Sequence, residues 1–148
     1  MSSGFFLFLY SMKIAIINGP NLNMLGKREP EVYGSETFED YLLKLRGMFP
    51  QVVFDYYQSN VEGELINELQ ASQADGIIMN AGGYTHTSVA IADAIAAISV
   101  PVIEVHISNV YAREEYRHES KMAKNCKGVI AGFGVDSYRL AVLAFLNE

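Results

Sequence analysis

Three stretches of this chain carry side chains whose types and spacing suit proton transfer on a small anionic substrate. Glu104 and His106 stand two residues apart in the apolar run IEVHIS. On a strand they share one face, where a carboxylate fixes the imidazole tautomer and raises its basicity. A buried carboxylate is costly unless paired, so a merely structural Glu104 is the weaker reading. Arg28 and Tyr33 stand five residues apart in a long stretch that begins at Gly19. A phenol of pKa about 10 becomes a useful base only where nearby positive charge stabilises the phenolate, and Arg28 could supply that charge.

The third stretch runs from Asn80 through Gly82, Gly83 and His86 to Ser88. Paired glycines let backbone approach a ligand closely, and Asn80 offers both donor and acceptor. His86 precedes a helix start, where amide N–H groups favour an anion or hydroxyl. Taken alone this segment is ambiguous, because the glycines could simply turn the chain and Thr87 or Ser88 simply cap the helix. Arg113 and Arg117, four apart on an expected helix face, repel by about 0.2–0.5 kcal/mol. Either Glu114 and nearby acids neutralise them on a solvated surface, or they meet an anionic or polyhydroxyl ligand; a cleft mouth favours the second. His118 is assigned to the surface. Two histidines and a carboxylate raise the question of a metal, but the HExxH or paired-Cys spacing is lacking and no metal is expected.

Those groups need elements to bring them together. From Met12 onward, apolar runs alternate with amphipathic segments. Strands are expected at 13–18, 52–57, 76–80, 100–106 and 128–132. Helices are expected at 37–49 with a Thr37/Asp40 capping box, after a Ser59/Glu62 capping box with Val61, Leu65 and Leu69 inward, at 87–98, at 111–121, and from an Asp136 cap through 146. Five βα units with two-sided apolar strands predict an α/β fold: a doubly wound, five-stranded parallel sheet of flavodoxin-like order 2-1-3-4-5, with helices on both faces. Ligands in such sheets bind beyond the carboxyl ends of the strands, where strand order reverses. The residues after strands one, three and four should therefore line one cleft. The loop after strand one exceeds the usual two to six residues, as binding loops do.

Composition narrows the partners. Eleven Lys+Arg against seventeen Asp+Glu give a net charge of −6 over 148 residues, which argues against nucleic acid or an anionic membrane. A lone Cys126 excludes an internal disulfide, fits a reducing cytoplasm, and reads as a small apolar residue rather than a nucleophile. Residues 1–11, with the apolar run FFLFLY, read as a cloning remnant or an extension from an upstream start. A membrane anchor is disfavoured, since the run is too short to span a bilayer. The remainder, 12–148, reads as one catalytic domain. The segment VAIADAIAAI (89–98) is apolar on nearly every side, with Asp93 its only charge; such a helix on the outside of a small domain predicts self-association.

Together these segments resemble the type II 3-dehydroquinate dehydratases. The resemblance is carried by INGPNLNMLGKREPEVYG (17–34), QSNVEGELI (58–66), NAGGYTHTS (80–88), IEVHISNVYAREEYRHES (103–120) and GVIAGFG (128–134). It covers essentially everything from Met12 to the last helix. The resemblance implies a cofactor-free cytoplasmic lyase of the shikimate or quinate pathway, which converts 3-dehydroquinate to 3-dehydroshikimate by anti elimination through an enolate. By resemblance, Tyr33 is the base, with Arg28 and Arg113 favouring its phenolate. Asn21 holds a water against the enolate oxygen, and His106, oriented by Glu104, is the general acid. The Ile107 amide and Ser108 take the substrate carboxylate; Asn80, Gly82, His86 and Arg117 bind the rest of the ring. Asp93 reaches a neighbouring subunit's site in a homo-dodecamer, a tetramer of trimers. The residues alone stop earlier, at proton abstraction with acid assistance on a small anion. Rival readings are a nucleotide- or flavin-binding module, a receiver domain lacking its acidic cluster, and an inactive scaffold.

Overall fold

The computed structural model describes residues 11–27, 31 and 34–147. Five strands, β1 (Met12–Asn18), β2 (Val52–Gln58), β3 (Gly76–Asn80), β4 (Val102–His106) and β5 (Gly128–Ala131), form one sheet. The order is β2-β1-β3-β4-β5 and every pairing is parallel. This is the expected topology. Strand order reverses between β1 and β3, so Asn18 and Asn80, which are register partners, mark the switch point.

Among the described residues, four helices cover the sheet: α1 (Phe38–Met48), α2 (Glu62–Ala71), α3 (Val89–Ala97) and α4 (Asp136–Leu146). One face packs Ile14, Ile16, Ile78 and Val105 against Phe38 and Leu45 of α1 and Tyr138 and Phe145 of α4. The other packs Ile17, Ile77 and Met79 against Leu65 of α2 and Ile91 and Ile95 of α3. The central strands β3 and β4 are buried throughout, as two-sided coverage requires. The edge strands are not: Val53 of β2 and Val129 of β5 are exposed.

Local signals fared unevenly. The Thr37/Asp40 capping box at the start of α1 is present in both directions. Ser88 caps α3 through the Ile91 N–H. The Ser59/Glu62 box does not form: Ser59 Oγ accepts from the Val61 N–H and donates to Glu64 Oε2 at 2.6 Å, and Val61 points outward, 53 % exposed. Asp136 is not a cap either. It is the first residue of α4 and grips Arg139 with both oxygens, at 2.7 and 2.8 Å.

The largest correction falls at 111–121, where two 3-10 turns, Val110–Ala112 and Glu115–Arg117, replace the expected helix. The backbone is extended at Arg113 and Glu114. The Arg113 carbonyl, which an α-helix would pair with the Arg117 N–H, accepts instead from His118 Nε2 at 3.1 Å. Arg113 and Arg117 therefore do not share a helix face. Among the described residues no helix is long and apolar enough to cross a membrane.

Candidate active site

The chemistry-bearing end of β4 is the best-anchored part of the cleft. Glu104 and His106 are 1 % and 6 % exposed, and Glu104 Oε2 lies 2.6 Å from His106 Nε2. A carboxylate can only accept here, so Nε2 carries the proton and Nδ1 is the nitrogen left for chemistry. The other carboxylate oxygen accepts from Ser120 Oγ at 2.8 Å. Ser120 in turn accepts from the Ala123 N–H, which fixes its hydroxyl. Glu104 is thus satisfied on both oxygens, the condition under which a buried carboxylate is tolerated.

His86 stands over this pair, its ring stacked on that of His106 with centroids 6.1 Å apart. Its Nδ1 donates to the Glu119 carbonyl at 2.8 Å, so in the neutral ring Nε2 is an acceptor. Together with Arg117, Tyr111 and Ser120, these groups line a cavity of about 160 Å³ at the carboxyl end of β4. A larger depression, about 440 Å³, lies at the other end of that strand beside Pro101 and Cys126. Burial, and then the nearby Glu104 charge, push the Cys126 thiol up to about 12, which suits the inert role expected of it.

At the switch point the two loops cross at close range. The Gly19 N–H donates to the Asn80 carbonyl at 2.7 Å, and a Cβ on Gly19 would stand 2.6 Å from the Ala81 carbonyl oxygen. Gly82, at φ +59, turns against the Pro20 carbonyl, which a Cβ would meet at 2.9 Å. The amide of Gly82 is committed to Asn80 Oδ1 at 3.1 Å. Asn80 Nδ2 donates to the hydroxyl of Tyr138, whose own proton goes to Asn18 Oδ1 at 2.7 Å. Tyr138 is fully buried, and burial raises its pKa, outweighing the Asn80 hydrogen bond. It remains a neutral phenol that joins the ends of β1 and β3.

The arginines are partly engaged. Glu114 accepts from Arg117 Nε at 3.2 Å, pairs with Arg113 at 3.7 Å, and accepts the Tyr116 hydroxyl. The Tyr116 hydroxyl foremost, then its own backbone N–H and Arg117, hold its carboxyl down to about 2. The neutralising partner weighed for these arginines is therefore present, although Arg117 still lines the cavity. Ser108 and Ile107 follow β4 directly and are half-buried, with Arg113 reaching Ser108 Oγ at 3.5 Å. Asp93 is exposed on α3 and is not among the residues lining this cavity. Among the described residues no three His, Cys, Asp or Glu side chains are grouped to hold a metal ion.

Arg28 and Tyr33 lie outside the described residues. Asn21 is described and unusual: at φ 72 it is the one non-glycine with positive φ among the described residues, a conformation Asn tolerates better than most. Its N–H donates to Asn60 Oδ1 at 3.0 Å. Ser120, Tyr138 and Asn60 are the supporting residues that sequence reading passed over. For two of them a signal existed: buried amides at strand ends and a buried carboxylate each require a partner, and Tyr138 is a phenol at a core-facing helix position.

Three comparisons converge on one family. The class II dehydroquinase family pattern matches residues 12–146. A 3-dehydroquinate dehydratase of Exiguobacterium sp. is 55 % identical over 139 residues, spanning 93 % of this chain and 96 % of that one. Another, of Pelodictyon phaeoclathratiforme, is 49 % identical over 141 residues and 93 % of each chain. The crystal structure of a type II dehydroquinase from Butyrivibrio crossotus superposes with a TM-score of 0.83 at 46 % identity, covering 93 % of this chain and 98 % of that one. With the predicted sheet order and a buried Glu–His pair at the strand ends, the match leaves no room for a nucleotide-binding module as the better reading, and the chain belongs to the class II dehydroquinase family.

Proposed function

We propose that this chain is a hydro-lyase that dehydrates 3-dehydroquinate to 3-dehydroshikimate in the shikimate or quinate pathway. The observation that carries the reading is the buried Ser120–Glu104–His106 chain at the end of β4, in a chain of this family. Elimination of water needs a base for the proton beside the ketone, a place for enolate charge, and an acid for the departing hydroxyl. His106 suits the acid. With Nε2–H held by Glu104, it delivers a proton from Nδ1 only as imidazolium, and the adjacent carboxylate stabilises that cation. Ser120, by donating to the second oxygen, fixes the carboxyl plane and leaves Oε2 facing the imidazole.

Tyr33 is assigned as the base, with Arg28 and Arg113 lowering the cost of its phenolate. Asn21 holds a water against the enolate oxygen. The Ile107 amide and Ser108 meet the substrate carboxylate, Gly82 lies against the substrate, and Asn80, His86 and Arg117 meet the ring hydroxyls. His86 does so as an acceptor at Nε2, given its Nδ1 partner. Residues 12–148 act as one catalytic domain behind an extension at 1–11. Asp93 serves an adjacent subunit, in a cytoplasmic homo-dodecamer of four trimers. Supporting this is the surface of α3, where Val89, Ala90, Ala96 and Ala97 are exposed beside Asp93, an apolar outer face of the kind that associates.

The direct test mixes the protein with 3-dehydroquinate and follows the conjugated enone of the product by absorbance. Turnover is expected; no signal above background across neutral pH would refute the function. Borohydride added with substrate should leave activity intact, since no lysine imine forms. Sedimentation at low salt should give a dodecamer, and a monomer would remove the assembly.

A further inference from the structure

We propose that Asn60, seconded by Gln58, is a positioning residue for the dehydration: it fixes the Asn21 backbone in its left-handed conformation and so sets where the Asn21 carboxamide points. The inference rests on the reading of Asn21 as the holder of the water that faces the enolate oxygen. A left-handed non-glycine residue persists only where its surroundings determine it. Locally, the Gly19–Leu22 turn that holds Asn21 is closed by a long bond from the Leu22 N–H to the Gly19 carbonyl, 3.4 Å, and the Asn21 side chain does not cap the turn that follows. A second, shorter restraint comes from the turn after β2, 39 residues away, where Asn60 Oδ1 accepts the Asn21 N–H at 3.0 Å.

Asn60 is itself braced from three sides. Gln58 Nε2 donates to Asn60 Oδ1 at 3.2 Å and to the Gly19 carbonyl at 3.1 Å, so one carboxamide orients the acceptor and the start of the β1 loop together. The turn beneath is tied by the Ser59 N–H to the Asn18 carbonyl and by Ser59 Oγ to Glu64. From the β3 side, the Tyr84 hydroxyl donates to the Asn60 carbonyl at 2.8 Å. The end of β2 thereby registers the β1 loop against the β3 loop, although it contributes no group to the reaction. Two donors, the Asn21 N–H and Gln58 Nε2, thus meet on one oxygen of an exposed turn that is itself tied on both sides.

The test compares Asn60→Ala and Asn60→Asp in the full chain with 3-dehydroquinate. Asn60 is exposed, so neither change should alter the urea midpoint. Removing the acceptor is expected to lower kcat by about threefold to tenfold, the span of one ordinary hydrogen bond, with KM within about twofold, because the loss falls on the transition state. Asn60→Asp keeps an acceptor oxygen and should recover kcat. In an Asn21→Ala background the Asn60→Ala change should add nothing, since its effect passes through Asn21. Wild-type kcat in Asn60→Ala overturns the proposal, as do additive losses in the double variant or a fall in kcat that tracks the urea midpoint and is not recovered by Asp. A wild-type protein without turnover instead removes the functional reading on which it stands.

Discussion

The two sides of the cleft are built in opposite ways. On the β4 side the acid pair sits on a central strand, nearly sealed from water, with both oxygens of Glu104 satisfied by side chains. On the β1 side Asn21 is exposed on a loop, held by turn bonds of its own and by one side-chain acceptor from the turn after β2. The difference follows from the two tasks. A proton donor needs a fixed tautomer and a fixed partner, which hydrogen bonding within a rigid layer supplies. Groups that meet a substrate's reacting face belong on segments whose backbone is free of the sheet's register.

The contrast can be broken by measuring rate and stability on the same variants. The largest effect is expected for Tyr33→Phe: kcat should fall by about 10²–10⁴-fold with the urea midpoint and substrate affinity little changed. Full activity in that variant would remove Tyr33 as the base. Glu104→Ala should move both observables, lowering kcat by at least tenfold and stability by about 1–3 kcal/mol, since His106 and Ser120 lose a buried acceptor. An unchanged midpoint there would mean that the strand-borne half is no more anchored than the loop.

Tyr138→Phe sharpens the same point away from the acid pair. It strands Asn18 Oδ1 and Asn80 Nδ2 in a buried site, for an expected loss of about 1–3 kcal/mol by urea denaturation. Thr37→Ala, remote from the cleft, should cost about 1 kcal/mol through the lost capping box and leave kcat untouched. The smallest effect concerns pH. Glu114 is held down to about 2, so what its contacts contribute is complete above pH 4.5 and is lost as pH falls toward 2. A carboxyl-carbon NMR titration should place its midpoint near 2; a midpoint near 4.5 would detach Arg117 and Tyr116 from it.

The parts that sequence reading anticipated share a physical basis. Five apolar runs separated by amphipathic segments leave few topologies, and Glu104 with His106 two residues on must share a face of any strand. The Thr37/Asp40 box is a short-range pattern whose donors and acceptors lie within four residues. What escaped turned on a choice among near neighbours or on a partner far along the chain. The sequence between Asn109 and Ser120 has charges enough for a helix, yet His118 takes the Arg113 carbonyl and the turn breaks. Ser59 chose Glu64 over Glu62 because its hydroxyl faces the Val61 amide instead of a helix end. Asn60 could not be singled out at all, since nothing in QSN marks which residue 39 positions away will need an acceptor.

The hydrogen bond between Tyr138 and Asn18 has a consequence for how the protein is born. It closes a sequence separation of 120 residues, and until it forms, the paired tips of β1 and β3 lack the phenol that their Asn18 and Asn80 carboxamides share. A chain leaving the ribosome can pair β1, β2 and β3 well before α4 has been made. The switch point is therefore the last place to mature, and a ribosome stalled before residue 138 carries a sheet with an unfinished cleft. Because the closing contact is so non-local, its formation should limit the approach to the native state rather than initiate it.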